Sequence, residues 1–290
     1  SKKKYFKIKT GLWKKKFLFD LYKKAQTPYS WHQELFNYAK KLNIKIFSSA
    51  FTEKDVDFLE KLKCPVYKVS SFEMSDLGLI KRISETKKPI IISTGTSSLK
   101  EIDTTYEFAL KKGIKDVTLL YCVSNYPAHL EDFNLNNIQI MKKRYNCRIG
   151  FSDHSLDDNV AFAAVSAGAD LVEKHIALQN QKTGLDIKFA IKGKNIKKFK
   201  DKIVLAKKLR GFNEFKRSKN KNKSKLFRRS IFIAESIKKN QIFTKLNLKK
   251  IRPGHGISAK YYEKLIGKKS PFNLSKDQPL NKKVLKKLKI

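Results

Sequence analysis

A chain of 290 residues with 41% hydrophobic side chains suits one large domain with a small companion, and no apolar run approaches the ~18 residues a membrane span needs. The formal net charge of +39 suggests a polyanion partner, yet only 8 of the 65 basic residues are arginine, and the lysines spread along the whole chain. That distribution, beside abundant isoleucine, asparagine and phenylalanine, fits an AT-rich codon bias and argues against a nucleic-acid stripe, while still favouring an anionic small substrate.

The opening SKKKYFKIK is basic but no apolar h-region follows, so it does not read as a secretory signal. Cys64, Cys122 and Cys147 are widely spaced, with no CxxC pair. They read as reduced thiols of a cytoplasmic protein, without a disulfide frame or zinc site. From residue 44 a rhythm sets in. IKIFSSAF (44–51), PVYKVSSF (65–72), PIIISTG (89–95), VTLLYCVSN (117–125), RIGFSDHS (148–155) and DLVEKHIAL (170–178) are short apolar runs expected to be strands. Helical spacing fills the gaps at 55–63, 77–87, 99–113, 134–145 and 159–169, and recurs after the last run at 195–211. Near-continuous apolar strands alternating with amphipathic helices predict an α/β fold with a parallel sheet. Every run ends in small polar or charged groups, which favours a (β/α)8 barrel, whose site is built at the C-terminal strand ends, over an open doubly wound sheet. Residues 1–211 are expected to form this domain and the lysine-rich stretch 212–225 a linker. Residues 226–290, broken by KKN, RPGHG, GKK and SKDQP turns, are expected to form a small β-rich domain.

The chain has only five histidines, and two of them, His154 in FSDHS and His175 in VEKHI, close consecutive predicted strands. Residues two apart on a strand share a face, so Ser152 points with His154 and Glu173 with His175. Each histidine alone reads as a hydrogen-bonded group at a strand end. As a pair at equivalent positions they make a half-site for a divalent metal, Mn2+ or Mg2+, completed by water and substrate oxygens.

The ordered motifs YKVSSFE, IISTGT, CVSNYP, GFSDHS, EKH, RRSIF and RPGHG resemble the sialic acid synthase family across about residues 5–285. LYKKAQTPYSWHQELF and Ser124 place the resemblance nearest its pseudaminic acid synthase branch, with the N-acetylneuraminate and legionaminic branches as alternatives. The family's (β/α)8 barrel followed by an antifreeze-like (SAF) domain, in a domain-swapped homodimer, is the implied architecture. Two family features, a first strand with an essential glutamate and a second ending in a KFQ-like motif, have no match here, so six of eight βα units are expected. Ala50, Val123 and Ile176 replace the usual proline, threonine and phenylalanine. A non-catalytic remnant and a basic nucleic-acid-binding protein are the competing readings.

The resemblance implies condensation of phosphoenolpyruvate with an N-acyl amino sugar. Carbon 3 of phosphoenolpyruvate attacks the sugar aldehyde, water adds at carbon 2, and phosphate leaves. A metal on His154 and His175 would polarise the aldehyde. Lys68, Ser49, Ser71, Ser93 and Ser152 would meet the phosphate and carboxylate. Glu73 matches a carboxylate near the reacting centre, and Asp186 one that holds sugar hydroxyls, with Ser124 and Tyr126 lining the same mouth. Arg252 resembles an arginine that the small domain inserts into the partner's barrel. Partners are therefore small molecules and a second copy, with neither nucleic acid nor membrane.

Overall fold

A computed structural model describes residues 3–9, 14–124, 128–212, 214–216 and 224–290, and the chain divides into two units, Ser1–Gly211 and Phe212–Ile290. In the first unit, helices α1 (Leu18–Ala25), α2 (Tyr29–Lys41) and α3 (Glu53–Lys61) precede strand β1 (Tyr67–Val69). Then α4 (Leu77–Glu85), β2 (Ile90–Ser93), α5 (Leu99–Lys111), β3 (Val117–Cys122), α6 (Asn136–Arg144), β4 (Arg148–Asp153), α7 (Asp158–Ser166) and β5 (Val172–Lys174) follow in strict alternation. The five strands pair in parallel in the order β1-β2-β3-β4-β5. Each neighbouring pair is joined through one helix, the repeating unit of a (β/α) barrel.

Local chemistry starts and stops these helices. Thr52 with Asp55, and Ser98 with Glu101, form capping boxes at the N-termini of α3 and α5, while Asp76 and Asp157 cap α4 and α7. The backbone turns left-handed just past three of them, at Lys63 (φ 57°), Lys87 (φ 58°) and Gly113 (φ 85°). Those turns aim the chain into β1, β2 and β3.

Two of the expected strands differ. Run 44–51 lies beside β1 but forms only the parallel bridge Ser49↔Lys68, with Ala50 N–H donating to the Lys68 carbonyl at 3.2 Å. It sits at the sheet's edge, and one bridge does not make a ladder. Run 170–178 breaks at His175. There the chain leaves β4 and continues as β6 (Ile176–Ala177), which pairs in parallel with β7 (Ile191–Lys192) ahead of helix α8 (Gly193–Arg210).

Alternation gives the sheet two unlike faces. Tyr67, Val69, Ile90, Ile92, Leu119, Ile149 and Phe151 pack with Leu79, Ile80, Ile83, Ile102 and Met141 from the helices. Each fully buried side chain of this size contributes about 1.5–3 kcal/mol. On the opposite face, the register aligns Lys68 with Ile91, Ser93 with Leu120, Cys122 with Ser152, and Ser152 with Glu173. The apolar face holds the domain together, which leaves the polar face for chemistry.

The second unit has β8 (Ser230–Ile233) antiparallel to β9 (Leu248–Ile251). Reciprocal backbone bonds of 2.8 Å between Ile237 and Leu274 tie its loops together. Ile231, Ile233, Ile237, Phe243, Leu248, Leu265, Leu274, Leu280 and Val284 make its own core.

Candidate active site

The polar face centres on Lys68, which is 7% exposed. Its ammonium donates to Ser93 Oγ at 2.7 Å and lies 3.7 Å from Glu173 Oε2. Ser152 Oγ donates to the other Glu173 oxygen at 2.7 Å. Lys68 of β1 and Ser152 of β4 thus meet on the Glu173 carboxylate of β5, with Ser93 of β2 against the ammonium. A buried lysine costs free energy unless paired, so this ammonium stands ready for an anion that can share or replace Glu173. Gly95 leaves room beside the β3 end. A Cβ there would lie 2.3 Å from Ser124 Oγ and 2.7 Å from Cys122 Sγ.

His154 and His175 lie at the end of the same face, one register step past the Asp153↔Lys174 pairing of β4 and β5. Their ring centroids are 5.5 Å apart, and both rings meet Phe189 edge-on at 5.8 and 5.0 Å. His154 Nδ1 is 3.2 Å from the Val123 carbonyl. A carbonyl only accepts, so Nδ1 carries the proton and Nε2 the lone pair in the neutral ring. Burial pushes the His154 pKa down, against the opposing pull of that hydrogen bond. Asp186 Oδ2 lies 3.5 Å from His175 Nδ1. A ring with a fixed tautomer, beside a second imidazole flanked by a carboxylate, offers donor types that would suit a divalent metal. Among the described residues no group of three or more His, Cys, Asp or Glu side chains is arranged around a common metal position. The pair therefore fits a metal only with water or substrate completing the shell.

The other expected residues are placed more loosely. Ser71 Oγ accepts from the Gly95 N–H at 3.0 Å and lies 3.4 Å from Cys122 Sγ, which ties the β1, β2 and β3 ends together. Ser49 is the bridge partner of Lys68 at the sheet's edge, which puts it on the same face. Glu73, in the turn after β1, accepts from the hydroxyl of Ser70. Tyr126 lies outside the described residues. Arg252 is exposed in the second unit, ahead of a cis bond to Pro253. Tyr29, in the α2 motif, donates from its hydroxyl to Asp55, while Trp31 is 59% exposed.

Residues 1–214 match the NeuB family and residues 228–286 the SAF domain. The chain belongs to the NeuB family. It is 36% identical over 270 residues to pseudaminic acid synthase of Campylobacter jejuni, covering 93% of this chain and 79% of that protein. The pseudaminic acid synthase of Helicobacter pylori is 36% identical over 282 residues, covering 97% and 83%. The crystal structure of N-acetylneuraminic acid (sialic acid) synthetase from Leptospira borgpetersenii matches with a TM-score of 0.68 at 27% identity, covering 71% of this chain and 72% of that one. This NeuB chain therefore has a TIM-type barrel fold followed by an SAF domain, as its motifs imply.

Three residues at this face of the NeuB chain were not singled out from the sequence. Glu173, seen there only as a flanking residue, is the shared partner of Lys68 and Ser152. Its position two before His175 was the available signal. Cys122 aligns with Ser152 on the polar face and touches Ser71. Phe189 packs both imidazoles from the turn ahead of β7, where no local pattern marks it. No helix among the described residues is long and apolar enough to cross a membrane.

Proposed function

We propose that the chain is a pseudaminic acid synthase, joining phosphoenolpyruvate to an N-acyl amino sugar with release of phosphate. One observation carries this reading. In a NeuB chain 36% identical to pseudaminic acid synthases, a buried lysine and a histidine pair stand on one polar sheet face. Lys68, bonded to Ser93 and joined to Ser152 through Glu173, is suited to the phosphate and carboxylate of phosphoenolpyruvate, with Ser71 at the neighbouring strand ends. His154 and His175 would hold a divalent metal, Mn2+ or Mg2+, which when bound supplies Lewis-acid polarisation of the sugar aldehyde.

Carbon 3 of phosphoenolpyruvate then bonds to the aldehyde carbon, water adds at carbon 2, and the C–O bond to phosphate breaks. Asp186, 3.5 Å from His175, is assigned to sugar hydroxyls on the family pattern. Glu73, Ser49, Ser124 and Tyr126 are assigned to substrate contacts on the family pattern. Arg252 is assigned to the sugar of a partner subunit in a domain-swapped dimer. The three cysteines are free thiols, which fits a cytoplasmic enzyme.

The test is phosphate release from phosphoenolpyruvate with the amino-sugar precursors of pseudaminic, legionaminic and N-acetylneuraminic acids. Turnover with the pseudaminic precursor supports the reading. Preference for another precursor moves the chain to that branch, and no turnover with any overturns the synthase reading.

A further inference from the structure

We propose that Asp153 and Lys174, neither of them a ligand, are positioning residues that set the spacing and facing of His154 and His175. The proposal rests on reading the two histidines as a metal pair. Asp153 ends β4 and Lys174 ends β5, and they are register partners on the face of the sheet opposite the imidazoles. Their side chains are almost wholly buried, at 0% and 5% exposure. The Lys174 ammonium lies 3.0 Å from Asp153 Oδ2, as an ion pair and not a hydrogen bond.

Both side chains also hold the residue on the far side of His154. Asp153 Oδ1 accepts from the Ser155 N–H at 2.8 Å, and Lys174 Nζ donates to the Ser155 carbonyl at 2.6 Å. The backbone before and after His154 is thus tied to the residue immediately before His175. Net stability is a poor reason for such a pair, because apolar residues of similar volume often serve as well. Its directional bonds do something apolar packing does not. They stop the two strand ends from sliding where the β4–β5 ladder runs out. A slide there changes the 5.5 Å separation of the rings directly.

The test uses the full chain and Mn2+ alone, followed by electron paramagnetic resonance and by thermal unfolding. Asp153→Leu/Lys174→Met removes both ties to Ser155 without stranding a buried charge. We expect the variant to fold with a lowered melting temperature, because the buried Ser155 N–H and carbonyl lose these partners, with Mn2+ affinity weakened roughly 10–100-fold and an altered spectrum of bound Mn2+. Asp153→Asn is the single-site arm. It keeps the Ser155 N–H bond but takes the carboxylate from the buried Lys174 ammonium, so it should fold with a clear loss of stability and weaken Mn2+ about tenfold. Lys174→Arg, which keeps the ion pair, should retain most of the native affinity. Unchanged affinity and spectrum in either folded weakening variant overturns the proposal alone. A native chain that takes up no Mn2+ overturns the metal reading, and this proposal with it.

Discussion

His154 and His175 face each other one register step beyond the last paired residues of β4 and β5, with ring centroids 5.5 Å apart. The ladder brings the two strand ends side by side, so consecutive strands of this kind place one imidazole each at the same height.

Replacing either histidine by alanine should abolish stoichiometric divalent-metal uptake and lower phosphate release at least about 100-fold, since Lewis-acid polarisation contributes several kcal/mol. Chelation should do the same to the native chain, and added Mn2+ should reverse it. Metal analysis of the double variant checks the assignment: full metal content there would place the ion elsewhere.

Lys68→Met should act mainly on phosphoenolpyruvate. It removes a buried cation that touches Ser93 and lies near Glu173, and strands that carboxylate. We expect the KM for phosphoenolpyruvate to rise roughly 10–100-fold, because a charge-assisted bond is worth ~1.5–3 kcal/mol. Titration of both substrates measures this; a variant altered only in its sugar KM would count against Lys68 as the anion site.

Asp55 predicts an acid-dependent contribution to stability. Burial raises its pKa, but hydrogen bonds from the Tyr29 hydroxyl and the Phe51 and Thr52 N–H groups outweigh burial and leave it below the ordinary value. A depressed folded pKa means stability that is present above the unfolded pKa of ~3.9 and lost as pH falls through the folded one. Asp55→Ala should therefore cost about 1 kcal/mol at pH 7 through loss of the α3 capping box. The gap to native should shrink towards pH 3 in urea titrations. A gap that does not change with pH would contradict the sign.

Lys63 and Lys87 occupy left-handed backbone positions after α3 and α4, with φ of 57° and 58°. A side chain there costs roughly 1–2 kcal/mol, part of which glycine's greater unfolded-state freedom offsets. Lys63→Gly or Lys87→Gly should each stabilise the first unit by about 0.5–1 kcal/mol. Denaturant midpoints decide it, and destabilisation by both changes would refute the strain argument.

The assignment of Arg252 to a partner's barrel predicts complementation. An Arg252→Ala chain and a His154→Ala/His175→Ala chain should each be inactive alone. Mixed under conditions of proven subunit exchange, they should regain part of the activity, because one barrel type is intact and the other chain supplies the arginine. Absence of recovery would place Arg252 within its own subunit's chemistry or outside catalysis.

Much of this protein is legible locally. Caps such as Thr52 with Asp55 and Ser98 with Glu101, apolar spacing, and polar strand ends are set within a few residues of chain, so the alternation of α3 to α8 with the strands follows from sequence. The equivalence of His154 and His175 is legible for the same reason, since each ends its own apolar run. Pairing is another matter. Whether run 44–51 forms a ladder depends on what lies beside it, and the run 170–178 breaks at His175 because its partner changes from β4 to β7. Likewise Glu173 joins Lys68 and Ser152 from two other strands, Phe189 reaches the imidazoles from the turn ahead of β7, and Asp153 meets Lys174 behind them. Side-chain alternation assigns each residue a face from sequence alone, but only the register between strands decides which residues on that face touch.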